Sequence, residues 1–322
     1  MKTNYFKEML KLKITSINPK SFNEKIQYKM AHDRRDVLTI FADKIQSRKY
    51  IESIIGLDYL TKMYYHNHDL SDIDWQSIPK EFVFKVNHGS GGVIIVSNEA
   101  DLENKLPKIL KHEGWTTYRI HPTCLIKEDL IKLGNYWLNL DYSWYPECGR
   151  GPEWAYKKVK RGVLFEELLK GKDGESPVEY KFHMFNGRCQ FINVIHRDFK
   201  LKTSNERKTY SNIMSSEWET LDIIANGNPP LPVNLKQPSE LANMITLAEK
   251  LTNNIDYLRV DFLLIDNLIV VGELTNYPMA GKNIYKPENF DHLMGKILIL
   301  DNYWIKNKTF LANLLSSVKK IR

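Results

Sequence analysis

The sequence predicts an α+β fold: antiparallel sheets with flanking helices and a helical N-terminal region. Three observations predict it. Helical spacing is concentrated before residue 65. Strand-like apolar runs after residue 80 come in pairs joined by short turns. The regular strand–helix–strand alternation of a doubly wound parallel sheet is missing.

The elements follow in order. Residues 22–65 read as helical, with Phe22, Ile26 and Met30 recurring every four residues. Asp36 stands where it can cap a second helix carrying Val37, Ile40, Phe41 and Ile45, and a third helical patch covers 48–55 before Gly56. A polar connection passes through Asp72, Asp74 and Pro79. Phe82–Val86 reads as a strand, His88-Gly89-Ser90-Gly91-Gly92 as a tight glycine loop, and Val93–Val96 as a second strand. Asn98 predicts a capped helix through residue 110. Residues 115–160, rich in Trp, Tyr and Gly, receive no assignment. A short strand over 163–165 leads into Glu166-Glu167-Leu168-Leu169, and 170–177 is a glycine-containing loop. Residues 180–185 and 189–195 form a hairpin across Asn186-Gly187, a strong turn signal. Ser239 caps a helix with Leu241, Met244, Ile245, Ala248 and Leu251 on one face, and 258–265 with 268–274 makes the last hairpin. The expected organisation is a helical region over 1–78, a smaller subdomain with the glycine loop over 79–162, and a C-terminal subdomain over 163–322.

The chain has 322 residues, 43% apolar and 26% charged, which suits a globular protein of one large or two smaller domains. No apolar run approaches the ~18–20 residues of a membrane span. Residues 1–14 mix lysines with apolar residues and lack a continuous signal-peptide core, so a cytoplasmic protein is expected. Cys124, Cys148 and Cys189 are scattered and odd in number, which argues against a disulfide framework and against zinc. The formal charge is +7, with both signs interspersed. That suits an anionic small ligand or polysaccharide as well as nucleic acid, but no helix-turn-helix, zinc-finger or RNP-like signature accompanies it, so nucleic acid ranks low.

Four constellations carry chemistry. In the loop 88–92, glycines let backbone N–H groups approach phosphate oxygens closely, and Lys85 precedes the loop. The loop joins strand to strand and no Gly-Lys-Ser/Thr follows, which excludes a Walker A loop and a dinucleotide fingerprint. A flap over a nucleoside triphosphate and a plain glycine-rich hairpin both fit. Glu166-Glu167 after an apolar strand suits a hinge that meets an adenine amino group and ribose hydroxyls, or two solvated acids. Lys181, between Tyr180 and Phe182, suits a phosphate or the protection of an edge strand.

The fourth constellation is Arg259-Val260-Asp261 with Glu273-Leu274-Thr275, where an arginine and two carboxylates sit in otherwise apolar strands. Buried carboxylates require a partner or a metal, so the group points to Mg²⁺ and a phosphorylated ligand. Parity makes a testable demand. A two-residue turn at Asp266-Asn267 would set Asp261 opposite Gly272 and turn Glu273 to the other face. A shared site therefore requires a three-residue loop, or a bulge such as one at Gly272. Arg150, Glu153, Trp154, Tyr156 and Arg197 form a weaker candidate set for a sugar or carboxylate. His88, His183 and His196 lack zinc spacing.

In this order, the pieces resemble the ATP-grasp superfamily, and within it the TupA-like group associated with bacterial cell-wall and capsular polysaccharide loci. The resemblance covers most of the chain. It includes Pro19 through Gln27, Phe84 through Gly92, Tyr180-Lys181-Phe182 with Phe185-Asn186-Gly187, and Gly272-Glu273-Leu274-Thr275. It implies that Lys85 and Lys181 hold ATP phosphates beneath His88, Gly89, Ser90, Gly91 and Gly92. Glu166, Glu167 and Leu169 would lie at the adenine hinge. Arg259 would steady an acyl phosphate, with Lys181 beside it. Asp261, Glu273 and Thr275 would carry Mg²⁺. Thr275 stands where many ATP-grasp enzymes have Asn. The implied activity is ATP-dependent ligation of a carboxylate, a uronic acid of a glycan or sugar nucleotide, to an amino acid or small amine. A sugar phosphotransferase, a glycosyltransferase using a sugar nucleotide, and a nucleotide-binding scaffold without turnover stand as alternatives.

Overall fold

The computed structural model describes residues 2–15, 17–110, 114–144, 151–171, 177–198, 208–232 and 235–303. The helical start consists of α1 (Lys2–Thr15), α2 (Phe22–His32), α3 (Val37–Ala42) and α4 (Lys44–Ile55). Ser21 and Glu24 close a capping box at the head of α2. The single helix expected from Asp36 through Ile45 is instead two. Asp36 makes no side-chain cap, and Asp43 is extended and caps α4 through Ile45 N and Gln46 N. The break has a tertiary cause, because Asp43 forms a β-bridge to His88.

The end of the expected helical region is also different: Met63–Asn67 is a strand, β1. It joins β2 (Phe82–Val86), β3 (Val93–Val96), β4 (Thr117–Ile120) and β5 (Val163–Glu166) in a five-stranded sheet ordered β1-β5-β2-β3-β4. Its strands come from all three expected segments of the chain. Pairing is antiparallel except between β3 and β4. Residues 98–110 are turns and extended chain, not the helix that Asn98 predicted. Pro107 has no N–H to give to that helix, and its ring would clash with the preceding turn. The helix of this region lies later, in the unassigned stretch: α5 (Lys127–Asn139), which buries Leu130, Leu133 and Trp137. Trp137 stacks on Phe84, and Phe84 meets Phe165 edge-on. Phe82, Phe84 and Val86 thus face this core, while Val83 and Lys85 alternate to the opposite face.

The second sheet has six strands, ordered β12-β11-β6-β7-β8-β9. These are β6 (Val178–Phe185), β7 (Arg188–Asp198), β8 (Lys208–Met214), β9 (Thr220–Leu221), β11 (Tyr257–Ile265) and β12 (Leu268–Thr275), all antiparallel. The Asn186-Gly187 hairpin forms as expected, with positive φ at both turn residues. A small pair, β10 (Ile224–Ala225) with β13 (Tyr285–Lys286), stands apart. Helix α6 (Leu241–Leu251) packs on β6 and β7. Its N-terminal residue is flanked by Glu240 without a side-chain cap, and the Ser239 hydroxyl instead bonds Asn267 Oδ1 at 3.2 Å. Helix α7 (Asn289–Ile297) packs with α2, whose Phe22 ring meets Phe185, Phe191 and Tyr257. Tyr257 shares a strand face with Arg259 and Asp261. One end of that face is therefore closed by α2 and the other opens to the cleft between the sheets.

Candidate active site

The last hairpin satisfies the parity demand by a bulge. Ile265 pairs Leu268 across a two-residue turn, and pairing continues to Phe262 opposite Val271. The register then shifts, leaving Gly272 extra, so Asp261 opposes Glu273 and Arg259 opposes Thr275. On the other side Asp261 opposes Lys181, which opposes Asn193. Directly paired residues share a face, so Glu273, Asp261, Lys181 and Asn193 form one row across four strands.

Asp261 is the hub. Arg259 donates to it bidentately, Nε to Oδ1 at 2.6 Å and a terminal nitrogen to Oδ2 at 2.7 Å. Lys181 Nζ donates to Oδ2 at 2.7 Å and also pairs with Glu179 at 3.0 Å. Burial alone would raise the Asp261 pKa, but Arg259 and Lys181 outweigh it and hold the carboxyl below the usual range. Burial pushes Lys181 down, partly opposed by Asp261. Arg259 also reaches Thr275 Oγ1 at 3.0 Å and lies 3.7 Å from Glu273.

A second cluster lies on the five-stranded sheet. Lys85 donates to Glu166. Glu166 Oε2 also accepts from Arg48 at 3.3 Å and from Thr61 Oγ1 at 3.1 Å. Burial would raise Glu166, and Lys85 and Arg48 bring it below its ordinary value. Lys44 joins the two clusters. It donates to the Gly89 carbonyl and lies 3.9 Å from Glu273, and burial pushes its pKa down. Lys85, Glu166, Lys44 and Glu273 line one cavity. A neighbouring cavity of about 220 Å³ shares Lys85 and Glu166 and is walled by Val83, Ile95, Leu169 and Leu263. Apolar lining together with the cation Lys85 suits an aromatic ring carrying an anionic tail.

Glu166 is buried against Lys85, where two cations and a hydroxyl converge on it, and it also lines the 220 Å³ cavity. Glu167 is exposed and accepts from Lys62 N, and both Glu167 and Leu169 line the 220 Å³ cavity. His88 is buried beneath the loop, its Nε2 3.2 Å from the Leu140 carbonyl and its ring edge-on to Trp115. Ser90 is exposed at the loop tip between Gly89 and Gly91, and Gly92 packs on Trp115. In the weaker set, Trp154 is buried under the Arg34 guanidinium and Arg197 pairs with Glu179. Arg150 lies outside the described residues, as does Cys148. Cys124 and Cys189 are free thiols.

Sequence reading did not single out Lys44, Arg48 or Thr61. The spacing of Lys44 and Arg48, four apart and so on one face of α4, was the available signal.

The donor set fits Mg²⁺. Asp261 and Glu273 offer hard carboxylate oxygens opposite each other, with Thr275 on the same face. Among the described residues no group of three His, Cys, Asp or Glu side chains gathers around a point. Mg²⁺ accepts so small a protein contribution when phosphate oxygens and water complete its octahedron.

The family model for TupA-like ATPgrasp matches residues 24–299. No curated protein matches the chain. Similar solved structures include D-alanine–D-alanine ligase from Bacillus anthracis, at 15% identity over 94% of this chain and 76% of that one, TM-score 0.46. The Helicobacter pylori D-alanine–D-alanine ligase is similar at 14% identity, over 88% of this chain and 70% of that one, TM-score 0.42. L-amino acid ligase from Bacillus licheniformis is similar at 12% identity, over 83% of this chain and 54% of that one, TM-score 0.43.

Proposed function

The chain belongs to the TupA-like ATP-grasp family, and on that premise we propose that it is an ATP-dependent ligase joining a carboxylate to an amine. The observation that carries this reading is the row Glu273–Asp261–Lys181 beside Arg259, whose Glu273 lines a cavity that also holds Lys85. The adenine ring occupies the slot between Val83, Ile95, Leu169 and Leu263. The phosphates run towards Lys85 and Lys181 under the glycine loop. A carboxylate oxygen of the first substrate attacks the γ-phosphorus, the bond to the bridging oxygen breaks, and ADP leaves. The amine of the second substrate then attacks the acyl carbon, phosphate departs, and the nitrogen loses a proton.

The chain's own residues do electrostatic work. Arg259 and Lys181 are both held by Asp261, so their charges are in place before the phosphoryl group moves. Asp261 and Glu273, with Thr275 as a third donor, would hold Mg²⁺, which would further neutralise the phosphoryl oxygens. The loop 88–92 excludes water from the acyl phosphate. A uronic acid of a capsular or cell-wall polysaccharide, or of its precursor, is the proposed carboxylate, and an amino acid or small amine its partner. Family resemblance supports that pair, and the +7 charge suits an anionic glycan.

Incubation of the purified protein with Mg²⁺, ATP, uronates and amines tests the reading. Expected are ADP and free phosphate in equal amounts with an amide product, and a rate about 10²–10³-fold lower for Asp261→Asn and for Lys85→Met. A phosphorylated sugar in place of free phosphate identifies a kinase. Thermal protection by a sugar nucleotide but not by ATP identifies a glycosyltransferase. Release of neither ADP nor phosphate with any pair sinks the ligase.

A further inference from the structure

Helix α1 is apolar on two sides, and only one of them is used. Tyr5, Met9 and Leu12 turn inward and join the main core, with Trp144 edge-on to Tyr5 at 6.0 Å. Phe6, Leu10 and Ile14 point away from it and are 72%, 49% and 61% exposed; Ile17, just past the helix, is 73% exposed. Residues four apart advance about 40° around a helix, so Phe6, Leu10 and Ile14 form one continuous stripe. Large exposed apolar side chains scattered singly need no explanation, but a contiguous stripe marks a docking surface.

The charges beside the stripe identify the occupant. Lys13 borders it on one side and Lys7 and Lys11 on the other, all exposed, with exposed Lys20 just beyond. The only acid in α1, Glu8, lies about 160° around the helix from the stripe's centre. We propose that the Phe6–Leu10–Ile14 stripe docks this protein on an anionic phospholipid surface, apolar side chains among the acyl chains and lysines at the headgroups. Lysines flanking an apolar stripe suit that interface, where their stems lie along the hydrocarbon and their ammonium groups reach the phosphates. A second copy is the poorer occupant: stripe against stripe brings the two sets of lysines together. Among the described residues no helix is long and apolar enough to cross a membrane, so the attachment is peripheral. It is independent of the proposed ligase activity.

Co-sedimentation of the full chain with vesicles tests this, comparing phosphatidylcholine alone with phosphatidylcholine doped with phosphatidylglycerol. The protein is expected to pellet with the doped vesicles and to be released by salt. The variant Phe6→Ser/Leu10→Ser/Ile14→Ser is expected to partition at least about tenfold more weakly. Lys7→Glu/Lys11→Glu is expected to lower binding to the doped vesicles by about tenfold. Both variants should keep the parent's circular dichroism and melting temperature, since the altered side chains lie outside the core. The proposal is overturned if the parent ignores doped vesicles or if the serine variant binds them as well. It is equally overturned if lipid has no effect and sedimentation equilibrium shows a dimer that the serine variant dissociates.

Discussion

His88 shows how a residue's chemistry depends on its surroundings. Burial lowers its pKa to about 4, only partly opposed by its bond to the Leu140 carbonyl. The neutral ring is therefore the folded form over most of the pH range. A folded pKa below the ordinary ~6.5 means that the unfolded chain binds the extra proton. The stabilisation is complete above about pH 6.5 and is lost as pH falls towards 4, by up to about 3 kcal/mol. Urea unfolding between pH 7 and 4 should show this loss, and His88→Gln should flatten it. An unchanged slope in the variant assigns the pH dependence elsewhere. Asp261 is the opposite case. Its carboxylate stays ionised despite burial because two cations are hydrogen-bonded to it. The sequence marked both residues as candidates. Which of them faces the cleft and which supports the loop from beneath depends on contacts with Trp115 and Leu140, far along the chain.

At the scale of the element, the two glycine-containing devices work differently. Gly91 has φ +90°, and a Cβ there would overlap the Trp115 carbonyl. Gly91→Ala should therefore lower stability by about 1–3 kcal/mol and weaken ATP binding, read by thermal unfolding and a nucleotide titration. Gly272 makes the bulge by its place in the register, without a positive φ. A Cβ there would meet the Asp261 carbonyl oxygen at 3.6 Å, an ordinary contact. Gly272→Ala should stay within about 0.5 kcal/mol of the parent and retain turnover. A large loss would mean that the glycine itself, and not the extra residue, aligns Glu273 with Asp261. The need for either a three-residue loop or a bulge was legible from strand parity, and the structure takes the bulge. The helix at α5 was legible in principle from the spacing of Leu130, Leu133 and Trp137. The split at Asp43 was not, since it depends on a bridge to a residue 45 positions away.

For the whole molecule, a buried ionic cluster ties distant segments together. Lys29 donates to Asp33 at 2.9 Å and to Asp256 at 2.6 Å. Arg35 reaches Asp33, Asp256 at 2.9 Å and Asp301 at 2.6 Å, and Tyr303 donates to Asp256. The cluster joins α2, the entry to β11 and the segment after α7. Asp256→Ala leaves two buried cations short of a partner and should lower stability by about 3–5 kcal/mol, measured as a fall in melting temperature. Burial alone would raise the Asp256 pKa, but Lys29 and Arg35 hold it well below the ordinary range. Its contribution is therefore present above about pH 4 and is lost as pH falls through the folded value. Acid unfolding of the parent should be steeper than that of Asp256→Asn.

The sequence by itself determined the α+β class, the two long hairpins, and the residue types at the proposed phosphate and metal positions. Those depend on local periodicity, turn chemistry and strand parity, which act over a few residues. Tertiary structure decided that Lys44 and Arg48 enter the cleft, that Glu166 is held by Lys85, and that three chain segments meet around Asp256. Each of these depends on which surfaces of distant elements come together, and local spacing carries no record of that choice.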